Sequence, residues 1–491
     1  MVSALFHSQF KTLVLTSFKN PKIVLLMNSR KAGIIALAVF TIVAILHALD
    51  WNNLVSLPKI LLLISRWVFV LSLMVYSFYK KSLTSWIMTS MVLGVIIGYD
   101  YPNFSQELKF LRQIFLNLVK AIVAPLLFST LVVGIAGHSD LKQVGRLGWK
   151  SLLYFEIVTT IALIIGLVAI NLSGAGLDIV KPAIMETLPV TTPLTWDEHI
   201  VDIFPSNFIK AIYDGKVLQI VVFSVLFAIG LAMLPDDKKR PMIRACESLS
   251  EAMFKFTNII MYFAPIGIGA AMAFTVGHLG IAVLKNLAHL VLTLYAGLIV
   301  FLFAVLLPIA RLFKIPIKQF ILAVREPVSI AFATTSSDSA LPKAMENMEK
   351  FGVPRKIVSF VIPTGYTFNL DGTTLYLSMA AVFVAQAADM HLTIGQQVTM
   401  GLVLMLTSKG VAAVPRASLV ILIATADQFH LPLWPIAAIF GIDELMDMAR
   451  TSVNVIGNTL ASCVVARWEG EFDDAKALAF TEEAADKINS F

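Results

Sequence analysis

Cysteine is almost missing from this chain: Cys246 and Cys463 are the only two in 491 residues. That excludes a disulfide framework as the organising principle, and a cluster of thiolate metal ligands with it. Charge is scarce as well. Asp, Glu, Lys and Arg together make up 14% of the residues against 58% hydrophobic, too few to clothe a soluble domain of this length. The formal net charge of +6 invites a nucleic-acid reading, but the basic residues sit in short clusters between apolar runs. No single basic patch exists, so no nucleic-acid partner is expected. Histidines such as His138 and His199 fall in predicted loops, outside any polar stripe. Nucleophilic catalysis therefore lacks its usual base, and the chain does not read as an enzyme.

What the chain has is apolar length. A membrane-spanning helix needs about 20 mostly apolar residues. Such runs fall at about 32–49, 58–79, 84–100, 110–136, 150–173, 207–233, 252–277, 281–310, 357–387 and 434–466. The first is preceded by Lys11, Lys19, Lys22, Arg30 and Lys31 without a clear small-residue cleavage site, which predicts an uncleaved anchor in the bilayer. With the N-terminus inside, alternate loops hold Lys80/Lys81, Lys142/Arg146/Lys150, Lys238/Lys239/Arg240 and Arg311/Lys314/Lys318. The loops between them are poorer in Lys and Arg, as positive-inside topology requires. Both termini are then cytoplasmic, provided that 317–355 and 391–430 do not each cross the membrane once.

Those two segments share a plan. In FILAVREPVSIAFATTSSDSALPKAMENMEK (320–350) an apolar arm, a Ser/Thr-rich break and a polar arm follow one another. In TIGQQVTMGLVLMLTSKGVAAVPRASLVILIATADQF (393–429) two apolar arms flank TSKGVAAVPR. Each arm is too short to span, so both predict helical hairpins that enter and return, with backbone that must line protein or a wet cavity. The breaks TTSSDSALPK (334–343) and TSKGVAAVPR (407–416) align without gaps. Each hairpin is followed by an apolar helix predicted to be broken by polar residues, at NLDGT (369–373) and DMARTSVN (447–454). Hairpin plus helix, twice, predicts an inverted repeat with a site at its interface. Two unrelated pore loops are the plainer alternative.

The helix containing GIDELMDMARTSVNVIGN (441–458) carries the strongest chemical signal. At ~100° per residue, Asp443, Asp447, Arg450, Thr451, Asn454 and Asn458 fall within a ~100° wedge. In hydrocarbon each charge costs at least ~2.5 kcal/mol, so such a stripe must face protein or water. A guanidinium can take a carboxylate through two parallel hydrogen bonds, and a carboxylate one turn away suits an ammonium. Together they outline a zwitterion with an acidic side chain; a self-satisfied polar seam between helices is the alternative. Asn369 and Asp371 offer oxygen ligands to a hard cation such as sodium. In YFEIVTT (154–160), Glu156, Thr159 and Thr160 share one face, and Glu156 is a proton-carrier candidate.

Taken together, SSDSALP, PTGYTFNLDGTTLY, TSKGVAAVP and DELMDMARTSVNVIGN resemble the dicarboxylate/amino acid:cation symporter family, the glutamate transporters, most of all its bacterial proton-coupled glutamate symporters. The resemblance runs from about residue 84 to 472. It implies an all-α polytopic fold with two re-entrant hairpins and inverted repeats, and a homotrimer in the bacterial inner membrane whose transport core moves as an elevator. It implies a division into an N-terminal extension (1–82), scaffold and first transport helices (83–310), a transport core (311–466) and a cytoplasmic tail (467–491). Carried over by motif, Arg450 would bind the substrate's side-chain carboxylate and Asp447 its amine. Ser336, Ser337, Thr373, Val414, Pro415, Thr451 and Asn454 would complete the pocket. One cation position would use Thr159, Thr160, Asn369 and Asp371. A second would use Gly365, Asn369, Asn454 and Asn458, and a third the backbone near Thr367, Ser408, Lys409 and Val411. The second hairpin would be the outer gate. No cofactor is implied beyond a coupling ion, H+ and/or Na+.

Three positions depart from the sodium-coupled pattern of that family. Asn458 replaces an aspartate, Leu377 replaces Gln or a proton-carrying Glu, and Arg416 replaces a hairpin-tip Gly. The function expected is symport of glutamate or aspartate. A C4-dicarboxylate carrier, which would not need Asp447, is the nearest alternative. An intramembrane hydrolase or an anion channel is the alternative of another class.

Overall fold

A computed structural model describes residues 28–136, 141–177, 179, 201, 204–214, 217–409, 417–429 and 431–480. Among them there are helices and no strands. Helices α1 (Ser29–Trp51) and α2 (Lys59–Lys80) pair with each other, and α2 lies against α3 (Leu83–Asp100). Arg66 of α2 fixes that contact through Asp100 (2.5 Å), which also accepts the Trp67 indole N–H at 3.1 Å. Next come α4 (Pro102–Glu107), α5 (Lys109–Ala136), α6 (Leu141–Ser173), α7 (Phe208–Tyr213), α8 (Val217–Ala232) and α9 (Asp236–Leu279). The apolar run predicted at 252–277 is thus only the inner part of α9, which begins 16 residues earlier. Asp236 and Asp237 favour the start of that helix by facing the positive end of its dipole. Helix α10 (Val283–Phe301) passes through a π-helical turn at Leu302–Leu306 into α11 (Leu307–Leu312).

The second half is built from the two predicted hairpins and the helices that follow them. Helices α12 (Ile317–Thr334) and α13 (Ser337–Lys350) meet at a turn in which Thr335 takes the left-handed conformation, φ 51°. Ser336 caps α13 by accepting the Ser339 N–H at 3.4 Å. Helices α14 (Arg355–Phe368) and α15 (Asp371–Ala387) are separated by Asn369 and Leu370, whose backbones are not helical. Thr393 and Gln396 form a capping box that starts α16 (Ile394–Ser408), and α17 (Ala417–Gln428) is the other arm of the second hairpin. Then come α18 (Trp434–Glu469) and the short α19 (Asp474–Ala479). The break expected across 447–454 is not found: α18 is continuous there. Its polar side chains bond to one another and to α15, so no backbone ladder has to open. Seven segments among the described residues are long and apolar enough to cross a membrane.

Packing explains how these helices hold their places. Helix α18 lies against α12, α13, α14 and α15, so both halves of the broken helix and the first hairpin surround it. The α3–α9 crossing is close because small residues face each other there. A Cβ on Gly94 would sit 2.2 Å from the Gly269 carbonyl oxygen, and one on Gly98 would sit 2.6 Å from that of Ala273. Past α18 the chain turns back. Arg467 grips Asp474 through both terminal nitrogens (2.8 and 2.5 Å), while the Asp473 N–H donates to the Gly352 carbonyl at 3.0 Å. The hydrogen bonds from Arg467 hold the Asp474 carboxyl below its usual range. A carboxyl lowered in the fold stabilises it fully above its unfolded value of about 4, and that contribution fades as pH falls through the lower folded value.

The two kinds of glycine make a test of the packing. Gly98→Ala forces a methyl into backbone and should cost about 1–3 kcal/mol, seen as a lower unfolding temperature in detergent. Gly230→Ala meets nothing within 4 Å and should be neutral or slightly stabilising, because alanine favours a helix by about 0.5–1 kcal/mol over glycine. Equal effects of the two changes would show that the crossing is not where stability resides.

Candidate functional site

The polar wedge of α18 is buried along its whole length. Asp443, Asp447, Arg450, Thr451, Asn454 and Asn458 are all at most 5% exposed. Arg450 occupies its centre. Its Nε donates to Asp447 Oδ1 at 2.9 Å, and Nη1 and Nη2 donate to the two oxygens of Asp443 at 2.9 and 3.3 Å. One face of the guanidinium lies on the Tyr376 ring, 4.2 Å from its centroid. Helical spacing makes this possible: Asp447 stands nearly one turn before Arg450 and Asp443 two turns before it. Thr451 Oγ1 adds a donor to Asp447 Oδ1 at 3.0 Å. The arrangement is a buried cation held between two carboxylates of its own helix. A ligand carboxylate can exchange with one of them, and an ammonium group can take the place of the cation at Asp447.

One turn further along, Asn454 reaches across to the broken helix. Its Oδ1 accepts the N–H groups of Gly372 (2.8 Å) and Thr373 (3.4 Å), and its Nδ2 donates to Thr373 Oγ1 at 3.0 Å. Those are backbone donors that the first turn of α15 leaves without helical partners. Asn454 is therefore an end cap supplied from another helix. Gly372 permits the approach, since a Cβ there would lie 2.4 Å from the Arg450 carbonyl oxygen.

A third cluster lies where α14 and α15 separate. Asn369, Asp371 and Asn458 are fully buried. Asn369 Nδ2 donates to Asp371 Oδ2 at 3.1 Å, and Asn458 Nδ2 donates to the Asn369 carbonyl at 3.3 Å. The remaining side-chain oxygens of all three, each an Oδ1, are buried without a hydrogen-bond donor. Buried polar atoms are nearly always satisfied, so three orphaned acceptors in one place call for a positive guest. Two glycines let the oxygens in. A Cβ on Gly457 would come within 2.0 Å of Asp371 Oδ2, and one on Gly365 within 2.0 Å of Asn458 Oδ1. A set of oxygens alone, one of them charged, suits a hard cation. Among the described residues no group of three or more His, Cys, Asp and Glu gathers as a metal site.

The other expected residues are distributed around these clusters. Thr159 is buried and donates back to the Phe155 carbonyl at 2.6 Å, and Thr160 donates to Met405 Sδ at 3.8 Å. Neither hydroxyl bonds to Asn369 or Asp371; α6 reaches that cluster through Phe155, whose ring lies beside Gly365. Glu156 pairs with Lys409. Ser408 donates to the Met405 carbonyl at 2.8 Å, Thr367 is partly buried, and Ser336 and Ser337 sit at the turn of the first hairpin. Leu377 is fully buried on α15. Val411, Val414, Pro415 and Arg416 lie outside the described residues. Sequence reasoning gave no role to Tyr376 or to the side chain of Lys409, and it put Asp443 in the wedge without a partner. The signal for Tyr376 was its spacing, three residues after Thr373 on the same helix face. Only packing could reveal which aromatic lies under the arginine.

Residues 83–468 match the family described as the sodium:dicarboxylate symporter family. The chain is 42% identical over 415 residues to the proton/sodium-glutamate symport protein of Bacillus caldotenax, an alignment covering 82% of this chain and 98% of that one. It is 42% identical over 428 residues to the proton/glutamate-aspartate symporter of Escherichia coli (strain K12), covering 84% and 98%. It is also 42% identical over 409 residues to the C4-dicarboxylate transport protein of Bacillus subtilis (strain 168), covering 82% and 97%. Helices α1 and α2 precede the matched region, and every cluster described above falls within it. By the match of residues 83–468 and by 42% identity over 98% of the length of two of these relatives, the chain belongs to the sodium:dicarboxylate symporter family.

Proposed function

We propose that this symporter carries glutamate and aspartate into the cell, coupled to protons and/or sodium. The observation that carries the reading is the 2.9 Å contact between Arg450 and Asp447 on one buried face. An acidic amino acid presents a carboxylate and an ammonium that match those two groups. In this reading Arg450 receives the side-chain carboxylate, exchanging a bond to Asp443 or Asp447 for one to the substrate. Asp447 then takes the ammonium, held in place by Thr451. Thr373, Asn454, Ser336, Ser337, Val414 and Pro415 complete the pocket. In this reading one coupling cation uses Thr159, Thr160, Asn369 and Asp371, a second Gly365, Asn369, Asn454 and Asn458, and a third the backbone near Thr367, Ser408, Lys409 and Val411. The protein works as a homotrimer in the bacterial inner membrane with both termini cytoplasmic, and its transport core moves as an elevator. A relative named for C4-dicarboxylates favours succinate as the second reading, because Arg450 would hold a carboxylate in either case.

Uptake into proteoliposomes separates the two. Truncating one partner of a buried, hydrogen-bonded charge pair costs about 2–5 kcal/mol of binding, so Arg450→Ala should lower glutamate uptake by ~30-fold or more. Asp447→Asn should reduce glutamate uptake far more than succinate uptake. Wild-type protein that carried succinate well and ignored glutamate would overturn the amino-acid reading.

The coupling ion has its own test. Asn458 contributes a neutral amide where an aspartate would add a charge, and a neutral oxygen competes less well with water for a bare cation. Protons are accordingly the favoured driving ion. An acidic exterior should drive glutamate accumulation in sodium-free buffer, and Asn458→Asp should lower the sodium concentration that half-saturates uptake. Accumulation by wild type that required sodium and ignored the pH gradient would reverse the assignment.

A further inference from the structure

Helix α16, the first arm of the second hairpin, lies along α6 in a continuous seam. The residues of the seam on the hairpin side are four apart: Gln397, Gly401, Met405 and Lys409, which follows the last helical residue. Opposite them, in reverse chain order, stand Asn171, Leu163, Thr160 and Glu156. At one end Asn171 and Gln397 exchange amide hydrogen bonds of 2.6 and 3.3 Å. In the middle, a Cβ on Gly401 would lie 3.2 Å from the Leu163 methyl groups, and Thr160 donates to Met405 Sδ at 3.8 Å. At the other end the Lys409 ammonium donates to Glu156 Oε1 as an ion pair. The polar locks join residues 226 and 253 positions apart in the chain, so the seam is a tertiary contact and not a local one.

The two locks differ in what they imply. The amide pair is neutral and each side chain satisfies the other. The ion pair places a carboxylate at the start of the apolar stretch of α6 and an ammonium just past the end of α16, where a lone charge of either sign is costly. Lys409 is 11% exposed and Glu156 is 45% exposed, so the lysine is the more deeply committed of the two. It is the last described residue of the first arm.

We infer that Glu156 is a positioning residue: through Lys409 it pins the end of α16, and with it the Ser408–Lys409 backbone, against α6. The functional consequence rests on the proposed cation role of that backbone; the mechanical one does not. A group that carried a proton by itself would act without a lysine partner, whereas an anchor needs both members of the pair.

Amide hydrogen exchange of the purified protein tests the anchor without any transport measurement. Glu156→Gln and Lys409→Met should each raise exchange across 402–409 by about tenfold, the expected sign of local opening. The swap Glu156→Lys with Lys409→Glu should return it to within about threefold of wild type. Should the swap fail to insert, the doubly neutral Glu156→Gln with Lys409→Met decides, because it leaves no lone charge: exchange that stays raised about tenfold marks loss of the anchor, and exchange back at the wild-type rate shows that the single variants suffered only a stranded charge and overturns the inference. In proteoliposomes the single variants should raise the half-saturating concentration of the coupling ion at least about fivefold, with recovery in the swap. Unchanged exchange in the single variants overturns the inference. So does a Glu156→Gln protein that loses pH-driven uptake while Lys409→Met keeps it. If the wild-type protein does not carry glutamate at all, the exchange results still decide for or against the anchor.

Discussion

A guanidinium at 1% exposure sets the terms for the rest of this structure. It cannot lose its charge, and burying it is costly unless every side is engaged. Asp443, Asp447 and the face of Tyr376 meet that demand together. Each of them constrains something else. The two carboxylates require α18 to be a regular helix over two turns, because only that spacing puts both on the arginine. Tyr376 requires α15 to run beside α18 in one register, and Asn454 fixes that register by capping α15. The break at Asn369 and Leu370 follows from the same constraint, since the first turn of α15 must begin where Asn454 can receive its N–H groups.

Charge balance then ties substrate to cation. With its ionisable groups charged, the Asp443–Glu444–Asp447–Arg450 set sums to two negative charges, and Asp371 adds a third. All five are buried. An acidic amino acid brings one more negative charge into a region of low dielectric, where like charges repel far more strongly than in water. The orphaned oxygens of Asn369, Asp371 and Asn458 are placed to hold the compensating cation or proton. On the proposed function, coupling is therefore an electrostatic requirement of the site: loading the anion without the cation would leave the excess charge uncompensated. Sodium and protons meet that requirement differently, and an amide at 458 leaves Asp371 as the one full charge of the oxygen cluster.

Much of this was legible in the sequence. Apolar length located the long helices, and the break at 334–343 located the turn of the first hairpin, because each signal is local. The six-residue wedge on α18 was read from helical spacing alone, and all six residues are buried as that reading requires. What sequence could not supply were pairings across the chain. Asp443 as the bidentate partner of Arg450 competes with Glu444 and Asp447 on the same helix, and Glu444 is as buried as its neighbours. Tyr376 under the arginine and Lys409 on Glu156 depend on which helix lies against which. The expected break in α18 failed for a related reason. A run of polar residues implies an open backbone only when their side chains lack partners, and here they have them.

The broken helix α14–α15 and the continuous α18 thus divide the chemistry unequally. In the first, the helix opens at Asn369 and Leu370, where the Asn369 carbonyl accepts from Asn458 and the Oδ1 atoms of Asn369 and Asp371 are left without donors. In the second, the helix stays closed and contributes side chains only, from Asp443 to Asn458. Side chains carry full charges and directional donors, which suits recognition of a particular anion. Asn454 and Asn458 are the residues that join the two, since each lies on the closed helix and bonds to the backbone of the open one.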